Sequence, residues 1–427
     1  MYIDANKYGF LPENSGIMNQ KALQRAMDES GTISVNKPGV YDLAGTVYIK
    51  SYTTIRFGNG VFIRKSDEEG EFTHVFINKG ALAKEYDEHI RIENLYLISN
   101  GMHTMEKAVF GLRGHVAFFY IKDLIVEGFR CMDLGATQFA IHICTFEDII
   151  VRDVIIKGDK DGVHLGTGRR FYIGNGVFQT YDDAIALNAQ DYDVCNPELG
   201  WIEDGIIENC RDLDDDKERK VGFFCRMLAG GWLDWYKGME VQKSDTVVSN
   251  NRIYRVRAEA DGRKFISKTK PVHKEGEKVL DGINWVMVQE KVEHNAAVRN
   301  VIFRNIFLYK PRIGFAPVFE GNRFNRSYYK GAELPVQTGL SFDNIKVLHE
   351  ENRPFMEITS PVDHISVSNS NFENTSFQFF SNCEVDDFKS TVLQVTGCTA
   401  NQTADKLVDN KIQGKVIETR FHGNVFE

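Results

Sequence analysis

Short runs of alternating apolar and polar residues dominate the chain. Between residues 32 and 65 they read "TISV", "GVYDL", "TVYIK", "TTIRF" and "GVFIRK", separated by Gly, Asn, Ser or Lys. A period of two marks a strand with one buried face. One earlier stretch has a different period. In "IMNQKALQRAMD", residues 17–28, Met18, Ala22, Leu23, Ala26 and Met27 fall on one helical stripe, and Gly31 follows as a stop.

From residue 88 onward one plan recurs. "HIRIENLYLIS", "FFYIKDLIVEG", "FEDIIVRDVIIKG", "RRFYIGNGVFQ", "VRNVIFRNIFLYK", "LSFDNIKVLHE" and "HISVSNSNFEN" each run a strand into Asn, Asp or Gly and then into a second short strand. No helix-length apolar pattern intervenes, and the two-residue Asn-Gly hairpin signal is scarce. A period in the low twenties predicts an all-β fold, a right-handed parallel β-helix whose coils stack into a solenoid. The helix at about 17–28 is expected to cap its N-terminal end and blunt the exposed strand edge.

The rhythm breaks between residues 232 and 290. Three of the four tryptophans (Trp232, Trp235, Trp285) lie there, "SNNRIYRV" reads as a hairpin and "LDGINW" as a tight turn. The expected organisation is solenoid over 1–231, a small antiparallel β insertion over 232–290, and solenoid again over 291–427. The insertion is loosely similar to small β modules of carbohydrate-binding and phage tail proteins. Its tryptophans suit either a sugar-stacking platform or the core of a very small domain.

Composition narrows the function. The chain has 427 residues, is 42% hydrophobic, and carries a formal net charge of −9. That charge excludes nucleic acid as the main partner and gives no general attraction to a polyanion. Cysteines at 131, 144, 195, 210, 225, 383 and 398 form no CxxC pair, so neither a zinc site nor a disulfide framework is expected. No metal or other cofactor is expected. No stretch approaches 18 apolar residues, so no membrane span is expected. The first residues lack the apolar core of a signal peptide. The location is therefore read as cytoplasmic for a native start, or extracellular or periplasmic if a leader was removed.

The candidate chemistry sits in two coils that align without gaps. "KDGVHLG" at 160–166 lies under "DDAIALN" at 182–188, an offset of 22 residues. Asp161 falls in register with Asp183, and Lys160 with Asp182. Parallel coils stack ~4.8 Å apart, so three carboxylates converge beside one lysine. Carboxylates this close split their affinities for a proton, and a neighbouring cation lowers one of them. The result is an acid and a base at neutral pH, as glycoside hydrolysis requires. A bland alternative is an Asp ladder that only binds backbone amides at a turn.

Here a resemblance becomes specific. "GVYDLAGTVYIKSYTTIRFGNGVFIRKS" looks like the opening of pectate-lyase-like β-helix proteins. Residues 139–190 resemble the core of the polygalacturonases, glycoside hydrolase family 28. The W-x-x-H, N-T-D-G and G-D-D-C-I-A patterns of that family read here as "FAIH" at 139–142, "DKDG" at 159–162 and "YDDAIALN" at 181–188. The resemblance implies an inverting, metal-free hydrolase. Asp182 would be the general acid, and Asp161 and Asp183 would hold and deprotonate the attacking water. A glycoside hydrolase unlike a standard polygalacturonase is the expectation, because no histidine lies between 190 and 230 to match the family's G-H-G. The Arg-Ile-Lys motif that grips the substrate carboxylate is also missing, with Arg226 and Arg312 the nearest candidates.

Lys160 stands beside the acid, where the family has Thr. His142, Lys160, His164, Arg169, Arg170 and Arg226 are the candidate substrate-binding residues. The partner expected is a carbohydrate. Two other readings stay open: a phage-type or glycan-binding β-helix without hydrolysis, which a trimer would favour, and a polysaccharide lyase or epimerase, in which the carboxylates would hold Ca²⁺ and Lys160 would act as base. The oligomeric state is not specified by the sequence.

Overall fold

The computed structural model describes residues 2–373, 375–379, 391–411 and 417–426. Almost every strand of the solenoid pairs in parallel with its counterpart one coil away, forming a continuous wall. The pairings define three faces, taken in turn by the chain on each coil. The first contains Val163–Leu165, Ile185–Asn188 and Phe223–Leu228. The second contains Gly168–Gly174 and Ile202–Glu208, and the third Ile155–Gly158 and Val177–Thr180.

Alternation along each strand becomes a ladder across coils. On the first face Val116, Ile141, Val163, Ile185, Cys225, Phe315 and Met356 stand in register, and all are fully buried. On the second face Val151, Ile173, Ile207, Phe303 and Phe342 do the same. Phe303 and Phe342 stack at 4.9 Å, and Phe315 meets Phe342 edge-on at 4.7 Å. The core is thus a column of inward side chains with no second layer to close it.

The Asn, Asp and Gly residues between the second and third faces have a physical cause. Asp153, Asn175, Asn209, Asn305 and Asn344 all take positive φ of 53–57°, the left-handed corner that L residues other than Asn, Asp and Gly rarely adopt. Their side chains form a second ladder. Asn175 donates to Asp153 at 2.9 Å, Asn209 to Asn175 at 3.3 Å, Asn305 to Asn209 at 3.0 Å and Asn344 to Asn305 at 2.9 Å.

The helix, Gly16–Glu29, closes the N-terminal end. Ser15 caps it by accepting from the Met18 backbone N–H, and Ala22, Leu23, Ala26 and Met27 face the first coils. Met18 departs from the expected stripe and is exposed. The insertion contains a five-stranded sheet ordered Leu233–Asp234, Thr246–Ser249, Arg252–Arg257, Ile283–Gln289, Glu277–Leu280. Its two hairpins turn at Asn250-Asn251 and Asp281-Gly282, all four residues with positive φ. Trp232 and Trp285 are fully buried. They form the small core of the insertion, and the stacking-platform reading is corrected for both. Among the described residues no helix is long and apolar enough to cross a membrane.

Phe342→Ala removes the ring shared by both stacks. A cost of about 3–5 kcal/mol is expected, read as a lower midpoint in urea unfolding followed by circular dichroism.

Candidate active site

The expected register is present. Val163 pairs with Ile185 and Leu165 with Leu187. At the corner before these strands, the Gly162 amide donates to the Asp183 carbonyl at 3.0 Å and the Ala184 amide to the Phe223 carbonyl at 3.0 Å. One oxygen from each of Asp161, Asp182 and Asp183 lies within 4.8 Å of the others. The carboxylates converge rather than splay.

Each carboxylate has a different neighbourhood. Asp182 is ion-paired with Lys160, and its side chain keeps 30% exposure. Asp161 and Asp183 are 1% exposed. Asp183 Oδ1 accepts from the Phe223 amide at 2.9 Å, and its Oδ2 lies 2.9 Å from Arg226 Nε. Arg226 also donates to Glu320 at 2.8 Å. Asp161 Oδ2 contacts His164 Nδ1 at 2.8 Å. Asp161 Oδ1 has no hydrogen-bond partner, which is uncommon for a buried carboxylate oxygen, and Asp183 Oδ2 has only its ion contact with Arg226.

Proton affinities follow from these contacts. Burial pushes the Asp183 carboxyl up to about 7, assisted by Asp182 and Asp161 and opposed by Arg226 and Arg312. Burial also works to raise Asp182, but Lys160, Arg226 and Arg312 outweigh it and hold that carboxyl below the ordinary range. The order is the reverse of the one the resemblance implies, because the lysine that replaces Thr sits on Asp182.

The outward column of the first face is His142, His164, Ala186 and Arg226 in register. Outward position on the solenoid does not mean solvent here. His142 and His164 are fully buried under the loop that follows Asn188. His164 contacts Asp161 on one nitrogen and Asp191 on the other, at 2.8 and 2.9 Å, and stacks on Phe139 at 4.2 Å. Burial lowers its pKa, yet Cys195 and the two carboxylates override this and raise it well above the ordinary value. His142 accepts from the Arg113 amide at 3.0 Å on Nδ1 and contacts Asn196 Oδ1 at 2.7 Å through Nε2. Burial and His164 drive its pKa well below the ordinary value. These two rings are therefore internal parts of the site, not groove-lining residues, which corrects that expectation.

Arg169 and Arg170 are not brought to the carboxylates. They lie on the second face, Arg169 paired with Glu147 at 3.1 Å and Arg170 with Asp148 at 2.7 Å. Arg312 does belong to the site: it clamps Asp212 through two contacts of 3.0 and 2.7 Å and donates to the Asp182 carbonyl at 2.6 Å. Lys310 holds the neighbouring Thr180 carbonyl at 2.6 Å. Asp191, Asn196 and Glu320 had no signal in the sequence, since they come from loops outside the repeat. Gly222 is required at this corner. Its φ is +67°, and a Cβ there would come 2.6 Å from the Asp182 carbonyl carbon. The coil after the Asp pair thus carries Gly222, Phe223 and Phe224 and no histidine.

The three oxygens are close enough to share a cation. The space between them already receives the Lys160 ammonium and the Arg226 guanidinium, so a hard divalent ion would meet two fixed positive charges. His142, His164 and Cys195 are also clustered, but the imidazole nitrogens are engaged by Arg113, Asn196, Asp161 and Asp191.

No family model matches the chain, and no curated protein does. Solved structures do. The A-module of the mannuronan C-5 epimerase AlgE4 of Azotobacter vinelandii aligns over 99% of this chain and 97% of its own, with a TM-score of 0.58 and 10% identity. An exopolygalacturonase from Thermotoga maritima aligns over 94% and 87%, with a TM-score of 0.51 and 11% identity. The family 28 exopolygalacturonase of Yersinia enterocolitica aligns over 99% and 76%, with a TM-score of 0.50 and 12% identity. At these identities the likeness establishes the fold alone, a right-handed parallel β-helix.

The charge states can be read directly by nitrogen-15 NMR of the imidazoles. His164 is expected to keep both ring protons above its ordinary pKa, and His142 to keep an unprotonated Nδ1 at and below its ordinary pKa. The stability that protonated His164 contributes is full below its ordinary value and is lost as pH rises through the raised folded value.

Proposed function

We propose that the chain is a glycoside hydrolase, related to family 28, that cleaves a poly- or oligosaccharide through Asp161, Asp182 and Asp183. The observation that carries this reading is the convergence of three carboxylates at one corner with unequal proton affinities. The fold likeness to two exopolygalacturonases supports it.

Hydrolysis needs a proton on the leaving oxygen and a base for water. Asp182 is the carboxylate with solvent exposure, so it is the one to meet the sugar. Asp161 and Asp183 are too enclosed to form a glycosyl ester, so water is taken as the nucleophile and inversion as the outcome, which requires the carboxylates to part from their present contact to the ~6.5–9.5 Å that seats a water. Asp161 Oδ1, which has no hydrogen-bond partner, is the acceptor for that water. Asp182 and Asp183 share one proton. It rests on Asp183 while Lys160 contacts Asp182. Displacement of the ammonium by sugar hydroxyls lets Asp182 take the proton and pass it to the glycosidic oxygen. The proton lost by water then returns to the buried carboxylates. Arg226 tethers Asp183, and Arg312 fixes the Asp182 backbone.

The enclosure of Asp161 and Asp183 also favours a second reading, a glycan-binding β-helix without hydrolysis. Release of reducing sugar from a panel of plant and microbial glycans separates the two. Asp182→Asn is expected to lower the rate by ~10²–10⁴-fold. Release that this substitution leaves unchanged rejects the assignment, and no release from any glycan favours the second reading.

The pH profile tests the proton assignment. Because Asp183 holds the shared proton up to about 7, kcat/KM is expected to fall as pH rises through that value. Lys160→Met removes the cation that lowers Asp182, so the descending limb moves to higher pH.

A further inference from the structure

A cleft of ≈ 860 Å³ lies where the first face of the solenoid passes into the second, roofed by the insertion. It shares no residue with the carboxylate corner, which lies at the opposite end of the first-face strands. The volume is within the ~300–1,000 Å³ of ligand sites. Its solenoid wall includes Thr145–Glu147, Thr167–Arg169 and Trp201, and its roof Met287–Glu293 in part.

Two features define what it suits. The first is aromatic surface. Trp201 is half-buried, and the Arg299 guanidinium lies 5.0 Å from the centre of its ring. Tyr86 is 43% exposed and meets Tyr120 edge-on at 5.1 Å. Such rings offer flat apolar area with a polar rim, which suits the face of a pyranose.

The second feature is self-compensated charge. Five acidic and five basic side chains line the cleft. Four ion pairs form within it, Arg169 with Glu147, Arg299 with Glu203, Lys84 with Glu198 and Lys291 with Glu293. Glu198 also accepts from Tyr120 Oη at 2.7 Å and Thr145 Oγ1 at 2.9 Å. A sugar carboxylate would have to compete with protein carboxylates for each of those paired cations. A hydroxyl donates and accepts at once, so it can bridge a glutamate and an arginine without disturbing the balance.

We propose that this cleft binds a neutral oligosaccharide, at a site separate from the carboxylate corner. Lys84 bridges its two walls, since its ammonium contacts Glu198 on the solenoid loop and donates to the Val288 carbonyl of the insertion at 3.1 Å. The insertion thereby serves as one wall of a binding site, although its own buried tryptophans are core.

The test is isothermal titration of the full chain with cellohexaose, xylohexaose, mannohexaose and galactohexaose, with hexagalacturonate as the acidic comparator. Saturable binding of at least one neutral oligosaccharide is expected, and raising NaCl tenfold should change it by less than about twofold. Trp201→Ala is expected to weaken it at least about tenfold. Tyr86→Ala, at an exposed ring, serves as the second variant should Trp201→Ala not fold, and is expected to weaken binding several-fold. Binding of hexagalacturonate alone, binding of no neutral probe, or neutral binding unchanged by both variants would overturn the proposal. Titrating Asp182→Asn beside the native chain keeps the probe intact, so the affinity read does not depend on whether the Asp182 corner turns over.

Discussion

Parallel stacking places each residue of one coil directly over its counterpart in the next, a strand spacing away. In the interior this yields the column from Val116 to Met356. At the corner before the first face it forces carboxylates together, and counter-charges must be interleaved among them. Lys160 on Asp182, His164 on Asp161 and Arg226 on Asp183 are those counter-charges, each drawn from the first-face strands or the corner itself. The electrostatics of the site are therefore a consequence of register before they are a matter of catalysis.

The same register explains why the three aspartates are chemically unequal. Asp182 keeps partial solvent exposure, and Lys160 stabilises its anion. Asp183 points into a closed volume, where desolvation outweighs Arg226. One step along the chain moves a carboxyl from solvent to interior. His142 and His164 show the companion effect: two imidazoles that meet edge-on at 4.8 Å cannot both be charged in a dry setting. The one touching Asp161 and Asp191 takes the charge, and the other stays neutral.

Much of this was legible in the chain. The solenoid announces itself because its core and its left-handed corners recur, so Asn175, Asn209 and Asn305 carry the same meaning wherever they occur. The Asp161–Asp183 stack was legible for the same reason, through an ungapped offset. What lies over the outside of the coils was not. Alternation separates inward from outward, but His164 is outward and still buried, because the loop bearing Asp191 and Asn196 folds over it. Glu320 reaches Arg226 from a loop 94 residues downstream, and no period connects it to the site; Arg312 stands out in the sequence only as a candidate counterpart of a missing motif, not for its hold on the Asp182 backbone. The tryptophans divide between the two roles the sequence left open. Trp232 and Trp285 are inside the small module, whereas its Trp235 and Trp201 of the regular solenoid are left partly uncovered.

The position of the insertion has a consequence for how the molecule assembles. Ile207 pairs with Phe303 across 96 residues, where the two coils before it close over 22 and 34. Flexible-loop closure over that longer span costs about 1 kcal/mol more than over 22 residues. The insertion can lower this cost by folding on its own, because Gly230–Gly231 and Asn295–Ala296 pair antiparallel and bring its ends together. Arg312, which holds the Asp182 carbonyl, and Glu320, which holds Arg226, both lie beyond this joint, so the carboxylate corner is complete only once the insertion has brought the two parts of the solenoid together.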